Sequence, residues 1–445
     1  MNALVKMMTP SRVLVLGFAM LILLGAFLLT LPLATQDGNG MNFLNAFFTA
    51  TSAVCVTGLV VVDTATTFTY FGQAVILVLI QVGGLGFMTF ATMFAIILGK
   101  RITLKERLLL QEALNQVSLE GIVRLAKSVI LISLTIEAVG ALILTLRWSV
   151  DFGWTKALYY GIFHSISAFN NAGFDLFGHF SSLTAYVGDP ITNITIMLLI
   201  ILGGLGFAVL ANLYAYRERK LTLHTKIVLQ VSGSLILIGS GIIFVLELTN
   251  PLTLGPLPLG TKVMAAIFQS VTPRTAGFNT INISDMYDTT LLSMIVLMFI
   301  GASPGSTGGG IKTTTFISIV LSVFSTFRSD PHVVLEGRTL PKDIIQKALA
   351  ITTLAAFLIF IMTSILTITE KADFLTLFFE VTSAFGTVGL SLGVTPDLSS
   401  LGKVAIILTM FAGRVGPLTL AFFLSQKANK SSVHIKYPDE RIIIG

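Results

Sequence analysis

Charged side chains are scarce in this chain of 445 residues, where Asp, Glu, Lys and Arg together make up only 11%. A soluble domain typically has about 25% charged residues, so the chain cannot build a water-facing surface of the usual kind. It also has a single cysteine, Cys55, which excludes internal disulfides and cysteine-based metal clusters. Soluble, disordered and disulfide-rich classes are therefore excluded, and we assign Cys55 to packing.

Groupings of catalytic residues are also missing. The sequence shows no Ser/His/Asp set and no paired carboxylates, and its five histidines have no metal-ligand spacing. These histidines are His164, His179, His224, His332 and His434. We therefore expect no enzyme activity, no cofactor in this chain and no nucleic-acid partner.

Long apolar runs are abundant instead, since hydrophobic residues make up 54% of the chain. A bilayer-spanning helix needs about 20 apolar residues. Runs of that length lie at 13–33, 74–98, 128–147, 191–216, 227–248, 348–369 and 404–424. An eighth, 289–327, is interrupted by SPGSTGGG. Four shorter apolar stretches, which we interpret as re-entrant helices, lie at 41–53, 155–168, 260–272 and 372–385.

Basic residues are concentrated in connections on one side of the predicted spans. These connections hold 20 of the 28 Lys and Arg residues: 1–12, 99–127, 217–226, 328–347 and 427–445. The positive-inside rule places such segments in the cytoplasm. We therefore expect both termini in the cytoplasm and the re-entrant helices opening to the outside.

The short stretches and the spans after them form an internal repeat. Each short stretch ends near a glycine: Gly58, Gly173, Gly277 or Gly389. A second glycine follows 25, 30, 24 or 24 residues later: Gly83, Gly203, Gly301 or Gly413. We predict an all-α integral membrane protein with four covalently linked membrane–pore–membrane repeats around a pseudo-fourfold pore. The units are placed at 1–98, 99–216, 217–327 and 328–427, with a cytoplasmic tail at 428–445.

Four loops that converge on one axis suit cation conduction. Backbone that leaves the helix at membrane depth costs several kcal/mol per unsatisfied group, about the value for a buried polar group, unless it lines a polar cavity. A ring of carbonyl oxygens can replace the hydration shell of a monovalent cation. The short helices add to this, because each helix C-terminus carries about half a negative charge.

The fourth loop reads TVGLSLG and is similar to the TVGYG filter of potassium channels, while CVTGL, NNAGF and RTAGF keep the glycine. The chain resembles the superfamily of potassium transporters that contains TrkH, KtrB and plant HKT, and its eight spans fit the KtrB branch best. The resemblance implies K⁺ bound only by backbone carbonyls. It gives these filter residues: Val56, Thr57, Gly58, Asn171, Ala172, Gly173, Thr275, Ala276, Gly277, Thr387, Val388 and Gly389.

The same resemblance implies potassium uptake across a bacterial plasma membrane by a homodimer in the lipid bilayer. It also implies a separate cytoplasmic RCK ring of the KtrA or KtrC type that binds ATP or ADP. HKT members with serine at the position of Gly58 are sodium-selective, so glycine in all four loops favours potassium. The resemblance leaves open whether sodium activates the uptake. An alternating-access cation symporter is the alternative function, because broken helices also occur in such carriers.

The interrupted span is the candidate gate. Pro304 removes a helix hydrogen bond, and each glycine costs about 1 kcal/mol relative to alanine in a helix. The break is either a static kink or, as the resemblance implies, a mobile loop that blocks the cavity. The sequence GSTGGGIKT is not a phosphate loop, because Ile311 separates Gly310 from Lys312. The gate residues are Ser303, Pro304, Gly305, Ser306, Thr307, Gly308, Gly309, Gly310, Lys312 and Arg414.

Charges at membrane depth are expensive and usually face a cavity or a partner. Arg414 stands where the first two units have Gly84 and Gly204, and two interpretations are open: a barrier in the cavity, or an ion pair with Glu137 or Glu380. Arg274 is expected to brace the third loop or face the outer vestibule, and Glu380 and Asp175 are candidate filter braces. For the GGLG glycines, Gly83, Gly84, Gly86, Gly203, Gly204 and Gly206, close helix packing is favoured.

Overall fold

The computed structural model describes residues 10–98, 102–114, 121–216, 220–417 and 419–420. The predicted tail, 428–445, and the end of the predicted span 404–424 lie outside the described residues. The described part is mostly helical, as predicted, with one two-stranded β-hairpin.

The first unit contains helices α1 (Pro10–Thr30), α2 (Phe43–Cys55), α3 (Tyr70–Leu85) and α4 (Phe87–Ile97). Helix α2 is the predicted re-entrant helix, and the side chain of Asn42 caps it by accepting the N–H of Leu44 at 2.9 Å. Such a cap satisfies one of the N–H groups that a helix leaves free at its start.

The second unit begins with a short helix, α5 (Leu104–Ala113), and continues with α6 (Ile122–Phe152), α7 (Trp154–Phe169), α8 (Pro190–Leu205) and α9 (Phe207–Tyr214). Helix α6 is the longest in the described part of the chain, at 31 residues. Helix α8 begins with proline, which lacks the N–H that this first position would leave unsatisfied.

The third unit contains α10 (Leu223–Glu247), α11 (Leu259–Val271), α12 (Asp288–Phe299) and α13 (Thr313–Phe327). The stretch between α12 and α13 has no helix, so the predicted break in the span 289–327 is confirmed. Ile300 and Ile311 form an isolated parallel β-bridge across this stretch, so the two ends of the loop between them lie side by side.

The fourth unit begins after a β-hairpin of strands β1 (Val334–Leu335) and β2 (Arg338–Thr339). Its helices are α14 (Lys342–Thr369), α15 (Phe374–Gly386) and α16 (Ser400–Val415). As in α2, a polar side chain caps the re-entrant helix α15, since Asp373 accepts the N–H of Thr376 at 3.2 Å.

The four units form a closed ring. In each unit the re-entrant helix packs against the first span of its own unit and against the helix that precedes it in the ring. The re-entrant helices make these contacts between units: α3 with α7, α8 with α11, α12 with α15, and α16 with α2. The last of these joins the fourth unit to the first. One phenylalanine from each re-entrant helix is fully buried in this packing: Phe48, Phe163, Phe268 and Phe379.

Two predicted spans are not straight helices. By length and composition, four described helices could cross a membrane, and six if bent pairs count as one span. Helices α3 and α4 meet at 93°, and α8 and α9 meet at 102°, so the prediction of continuous spans at 74–98 and 191–216 is wrong. The physical reason is backbone geometry: Gly86 and Gly206 lie at the bends with φ of 82° and 96°, a region that glycine enters without steric strain.

The GGLG glycines therefore have two roles rather than one. A Cβ at Gly83 or Gly203 would collide with the carbonyl of Val54 or Phe169, at the end of the re-entrant helix. The packing interpretation is confirmed there. It is wrong for Gly86, where only Thr89 lies near the Cβ and the role is the bend itself. Gly206 has both roles, since it lies at a bend and its Cβ would lie 2.5 Å from the Pro304 carbonyl oxygen.

We expect Gly203→Ala to destabilise the fold, because the added methyl group would overlap the Phe169 carbonyl. Overpacking of this kind typically costs about 1–3 kcal/mol. Thermal unfolding of the detergent-purified protein, followed by fluorescence, should show a lower midpoint. The control is Gly233→Ala, also inside a helix, where nothing lies within 4 Å of the new methyl group. Equal midpoints for the two variants would contradict the packing role of Gly203.

Candidate functional site

Three of the four re-entrant helices end in the same hydrogen-bonded motif. In the first unit the N–H of Val56 donates to Ala53 and the N–H of Thr57 donates to Ser52, at 3.2 and 2.8 Å. The same i−3 and i−5 pair recurs at Asn171 and Ala172, and at Thr387 and Val388. This is the Schellman closure, which satisfies carbonyls that a helix end leaves free. The third loop departs from it, since Ala276 donates to Thr272 instead.

The residue two places before each loop glycine has a left-handed backbone. These residues are Val56, Asn171, Thr275 and Thr387, with φ of 56°, 59°, 71° and 49°. A Schellman closure usually has glycine at that position, and β-branched residues there are genuine outliers. Backbone strain of this kind persists only where the surroundings over-determine it, typically at functional sites. All four residues lie in the predicted filter, and three of them, Val56, Thr275 and Thr387, are β-branched and therefore strained.

A hydroxyl group from each re-entrant helix braces the loop that follows it. Ser52 and Ser383 accept the N–H groups of loop glycines Gly58 and Gly389 at 3.0 and 3.1 Å. In the other two units the hydroxyl donates to the carbonyl of the phenylalanine that follows the glycine, at 2.7 and 2.5 Å. Those two hydroxyls belong to Ser167 and Thr272. The sequence reasoning missed this set, although Ser or Thr stands five or six residues before each loop glycine.

The four loop glycines form a closed ring. A Cβ on Gly58 would lie 2.5 Å from the carbonyl oxygen of Ala172 in the next loop. Around the ring, a Cβ on each later glycine would likewise approach a carbonyl oxygen of the next loop. The distance is 2.9 Å for Gly173, 2.6 Å for Gly277 and shorter still for Gly389. The pairs in order are Gly58–Ala172, Gly173–Ala276, Gly277–Val388 and Gly389–Thr57. The structure therefore brings the twelve predicted filter residues together at one place, around one axis.

A cavity of about 280 Å³ lies on the side of this ring away from the 303–310 loop, which we call the outer side. All four loop glycines line it, together with Asp63 and Asp175. The Asp175 carboxylate accepts the N–H of Phe177 at 3.0 Å, and Asp63 accepts the N–H of Phe180 at 2.9 Å. Both carboxyl groups thus order the backbone of the outer mouth.

The loop at 303–310 lies on the inner side of the ring and is bonded to the second unit. Ser303 and Thr307 donate their N–H groups to the carbonyls of Gly204 and Gly203, at 3.0 and 3.3 Å. The bend at Gly206 frees the N–H of Phe207, which donates to Gly305 at 2.8 Å. The bent span therefore holds the loop through three backbone hydrogen bonds.

The same loop is bonded to the fourth unit and to its own helix. The N–H of Gly309 donates to the hydroxyl of the filter residue Thr387 at 3.0 Å. Lys312 donates to the Gly308 carbonyl at 2.7 Å. The guanidinium of Arg414 donates to the Thr307 carbonyl and also to the carbonyls of Gly83 and Gly84, the last at 3.0 Å. All ten predicted gate residues thus lie in one cluster against the inner end of the filter loops.

Arg414 does not form an ion pair with Glu137 or Glu380, which was one of the two interpretations of this residue. Glu137 instead accepts amide groups of Gln81 and Asn170 at 2.9 and 3.0 Å, and Glu380 accepts the hydroxyl of Thr395. Arg414 lines an inner cavity of about 350 Å³ together with residues of the 303–310 loop. Its charge therefore lies in the cavity on the inner side of the ring.

The remaining predicted braces have clear partners. The guanidinium of Arg274 is 7% exposed and donates to Ser232 of α10 at 3.0 Å, so it braces the third loop and does not face the vestibule. Glu380 links α15 to the loop after the fourth filter segment through Thr395. Cys55 is buried in the core, which agrees with its assignment to packing.

The fold and the site together define a membrane protein in which four pore-loop units of one chain surround a single axis, with one loop across its inner side. The sequence matches the family described as "TrkH: Cation transport protein" over residues 4–434. The chain therefore belongs to the TrkH family, a family of cation transport proteins and not of enzymes.

Similar proteins and a solved structure agree with this assignment. The chain is 48% identical to "Ktr system potassium uptake protein B" of Bacillus subtilis, over 98% of this chain and 97% of that protein. It is 40% identical to "Potassium/sodium uptake protein NtpJ" of Enterococcus hirae, over 99% and 98%. The crystal structure of the potassium transporter TrkH from Vibrio parahaemolyticus has the same fold, with a TM-score of 0.75 at 20% identity, over 95% and 86% of the two chains.

We expect Gly389→Ser to lower the ratio of potassium to sodium flux by several-fold. The new side chain would collide with the Thr57 carbonyl of the neighbouring loop and would displace it from the ring. Fluxes of the two ions into proteoliposomes measure this ratio. The matched control is Gly393→Ser, which has the same φ of about 92° but nothing within 4 Å of its Cβ. If both variants keep the original ratio, Gly389 is not part of the filter.

Proposed function

We propose that this protein takes up potassium through a channel-like pore with a four-loop selectivity filter. The closed ring of loop glycines against carbonyls of the neighbouring loops is the observation that carries the proposal. Oxygens arranged around one axis can replace the hydration shell of a monovalent cation. The names of the similar proteins, two potassium uptake proteins and one potassium/sodium uptake protein, support the same substrate.

The proposed filter selects cations without holding them tightly. None of its twelve residues is charged, so an ion would meet backbone carbonyls and the C-terminal ends of four short helices. Conduction requires binding that is weak enough for the ion to leave. The carboxylates of Asp63 and Asp175 lie outside the ring, where they would raise the local concentration of cations before they enter the filter.

The loop at 303–310 is the proposed gate. It lies between the filter and the inner cavity, and its contacts on both sides are mostly single hydrogen bonds. Each such bond contributes only about 0.5–1.5 kcal/mol net, so the loop can be released in steps. Lys312 and Arg414 add positive charge at this depth, which opposes a cation as long as the loop is in place.

Regulation is proposed to come from a second protein. The longest predicted cytoplasmic segments, 99–127 and 328–347, are too short for a nucleotide-binding domain. We propose a homodimer in a bacterial plasma membrane, with cytoplasmic termini and a separate RCK ring that binds ATP or ADP. Sodium as an activator is part of the same proposal, supported by the name of the Enterococcus hirae relative. The unit boundaries given above remain part of the proposal as well.

The symporter alternative is disfavoured by the symmetry of the fold. Alternating-access carriers are typically built from two halves whose repeats rock against each other. Here the four units repeat the same contact from one to the next and close into a ring. A rigid ring around one axis suits a pore better than rocking halves.

We expect Arg414→Gln to raise basal potassium flux by several-fold. The substitution keeps most of the volume, removes the charge and weakens the hydrogen bonds to Thr307, Gly83 and Gly84. Potassium uptake into proteoliposomes is the measurement. Arg147→Gln is the control, since Arg147 pairs with Asp151 and Asp189 away from the pore. A folded Arg414→Gln protein with unchanged flux would exclude a barrier at this residue.

We expect deletion of Ser306–Gly309 to raise basal flux and to leave the potassium-to-sodium ratio intact. The deletion removes the contacts of the loop with Asn171 and Thr387 but none of the ring itself. Uptake would be measured in a potassium-transport-deficient bacterium with and without an RCK partner, because the partner should matter less once the gate is gone. Low flux that still depends on the partner, from a folded variant, would show that the loop is a static kink.

A further inference from the structure

An apolar groove of about 580 Å³ lies on the flank of the third unit, away from the pore. Helices α10, α12 and α13 form its walls, and Leu335 of the β-hairpin lies at one end. The volume falls within the roughly 300–1,000 Å³ of typical small-molecule sites. Only 28% of the most apolar 18-residue stretch of α10 is buried inside the protein, so this helix is largely open to the bilayer.

The side chains along one face of α10, which we call the ridge, change from charged to polar to apolar. Residues four apart on a helix lie on one face, and here they run Lys226, Gln230, Ser234, Ile238 and Ile242. The last four line the groove, and Lys226 begins the ridge at the end rich in Lys and Arg. The ridge therefore passes from a cation through two polar groups to branched hydrocarbon.

The polar part of the ridge has no partner within the protein. Gln230 and Ser234 are exposed on the groove, and their side chains make no hydrogen bond to the described residues. A polar side chain that faces lipid without a partner is unfavourable. Two such groups one helical turn apart therefore indicate a polar ligand at that level of the groove.

The β-hairpin adds a second cation to the same end. Leu335 lines the groove, and Arg338 stands directly opposite it in the antiparallel pair. Residues directly opposite each other lie on one face of the hairpin, which places Arg338 on the groove side. Lys226 approaches Glu336 only to 4.0 Å, with side chains 48% and 40% exposed, and exposed pairs of this kind are worth little. Both cations remain available to a ligand.

We propose that this groove binds one phospholipid with an anionic headgroup. The headgroup phosphate lies between Lys226 and Arg338, the glycerol and ester groups meet Gln230 and Ser234, and one acyl chain fills the apolar part beside Ile238 and Ile242. Arginine and lysine near the membrane surface attract anionic lipids. The order of cation, polar group and hydrocarbon along the ridge is the order of groups in a phospholipid.

A second copy of this chain fits the groove less well. Two copies in one membrane have the same orientation, and a twofold interface brings the same surface of each together. If the twofold axis passed through the groove, Lys226 and Arg338 of one copy would approach those of the other, and like charges repel. A lipid carries the opposite charge at that depth and avoids this repulsion.

The groove is also adjacent to the proposed gate. Ile300 stands three residues before Ser303 of the 303–310 loop, Phe316 and Ile317 follow the loop on α13, and all three line the groove. A bound acyl chain would therefore contact the chain on both sides of the loop.

Native mass spectrometry of the purified full chain tests the proposal. The protein is equilibrated in mixed micelles with equal amounts of phosphatidylglycerol and phosphatidylcholine, and retained lipid is identified. We expect retention of one phosphatidylglycerol per protomer in several-fold preference to phosphatidylcholine. Lys226→Gln with Arg338→Gln should remove the preference, and Ser293→Phe, which fills the groove from α12, should remove retention of both lipids. The control, Lys342→Gln with Lys347→Gln, removes two exposed charges from α14 and should leave retention unchanged.

A measurement on the unmodified protein guards against variants that do not fold. The preference for phosphatidylglycerol should fall as salt is raised, because ions screen exposed charges. Absence of preference in the unmodified protein, or equal retention by the Lys226/Arg338 variant, would overturn the proposal. So would a Ser293→Phe protein that loses its self-association while it retains lipid, since a second copy would then be the occupant.

Discussion

Backbone hydrogen bonding at membrane depth is the constraint on which this structure depends. Each of the four loops leaves a helix where water is scarce, and each unsatisfied backbone group there is costly. Schellman closures satisfy the helix ends, and hydroxyls such as those of Ser52 and Ser383 satisfy the N–H groups of the loop glycines. With these groups paired, the carbonyls between the left-handed residue and the glycine are those that the proposed filter offers to an ion.

The same constraint explains why the third unit differs from the others. A bend at Gly206 frees the N–H of Phe207, and the 303–310 loop supplies the carbonyl that satisfies it. The loop in turn has free carbonyls, one of which the Arg414 guanidinium satisfies. The 303–310 loop and the bent span of the second unit therefore complete each other's hydrogen bonding.

Sequence reasoning succeeded where the physics is periodic or local. Hydropathy predicted the units, because bilayer thickness sets the length of an apolar run. The regular spacing of Gly58, Gly173, Gly277 and Gly389 predicted the loops, because each loop needs a glycine at the same place. The bends were missed because the hydropathy of a segment does not depend on the direction in which its backbone runs. The carbonyl partners of Arg414, up to 331 residues away, were missed because a carbonyl has no signature in sequence. A column of Ser and Thr before the loop glycines was visible and could have indicated the hydroxyl braces.

The ring has approximate fourfold symmetry, yet one loop and one arginine lie beneath it. In a tetramer of identical subunits, every residue near the axis occurs four times, and four eight-residue loops with four guanidinium groups would not fit in the same space. Linking the units in one chain allows each to diverge separately, so a single copy can carry an element that symmetry would otherwise multiply. The covalent connection is thus what permits an asymmetric obstruction inside a symmetric ring.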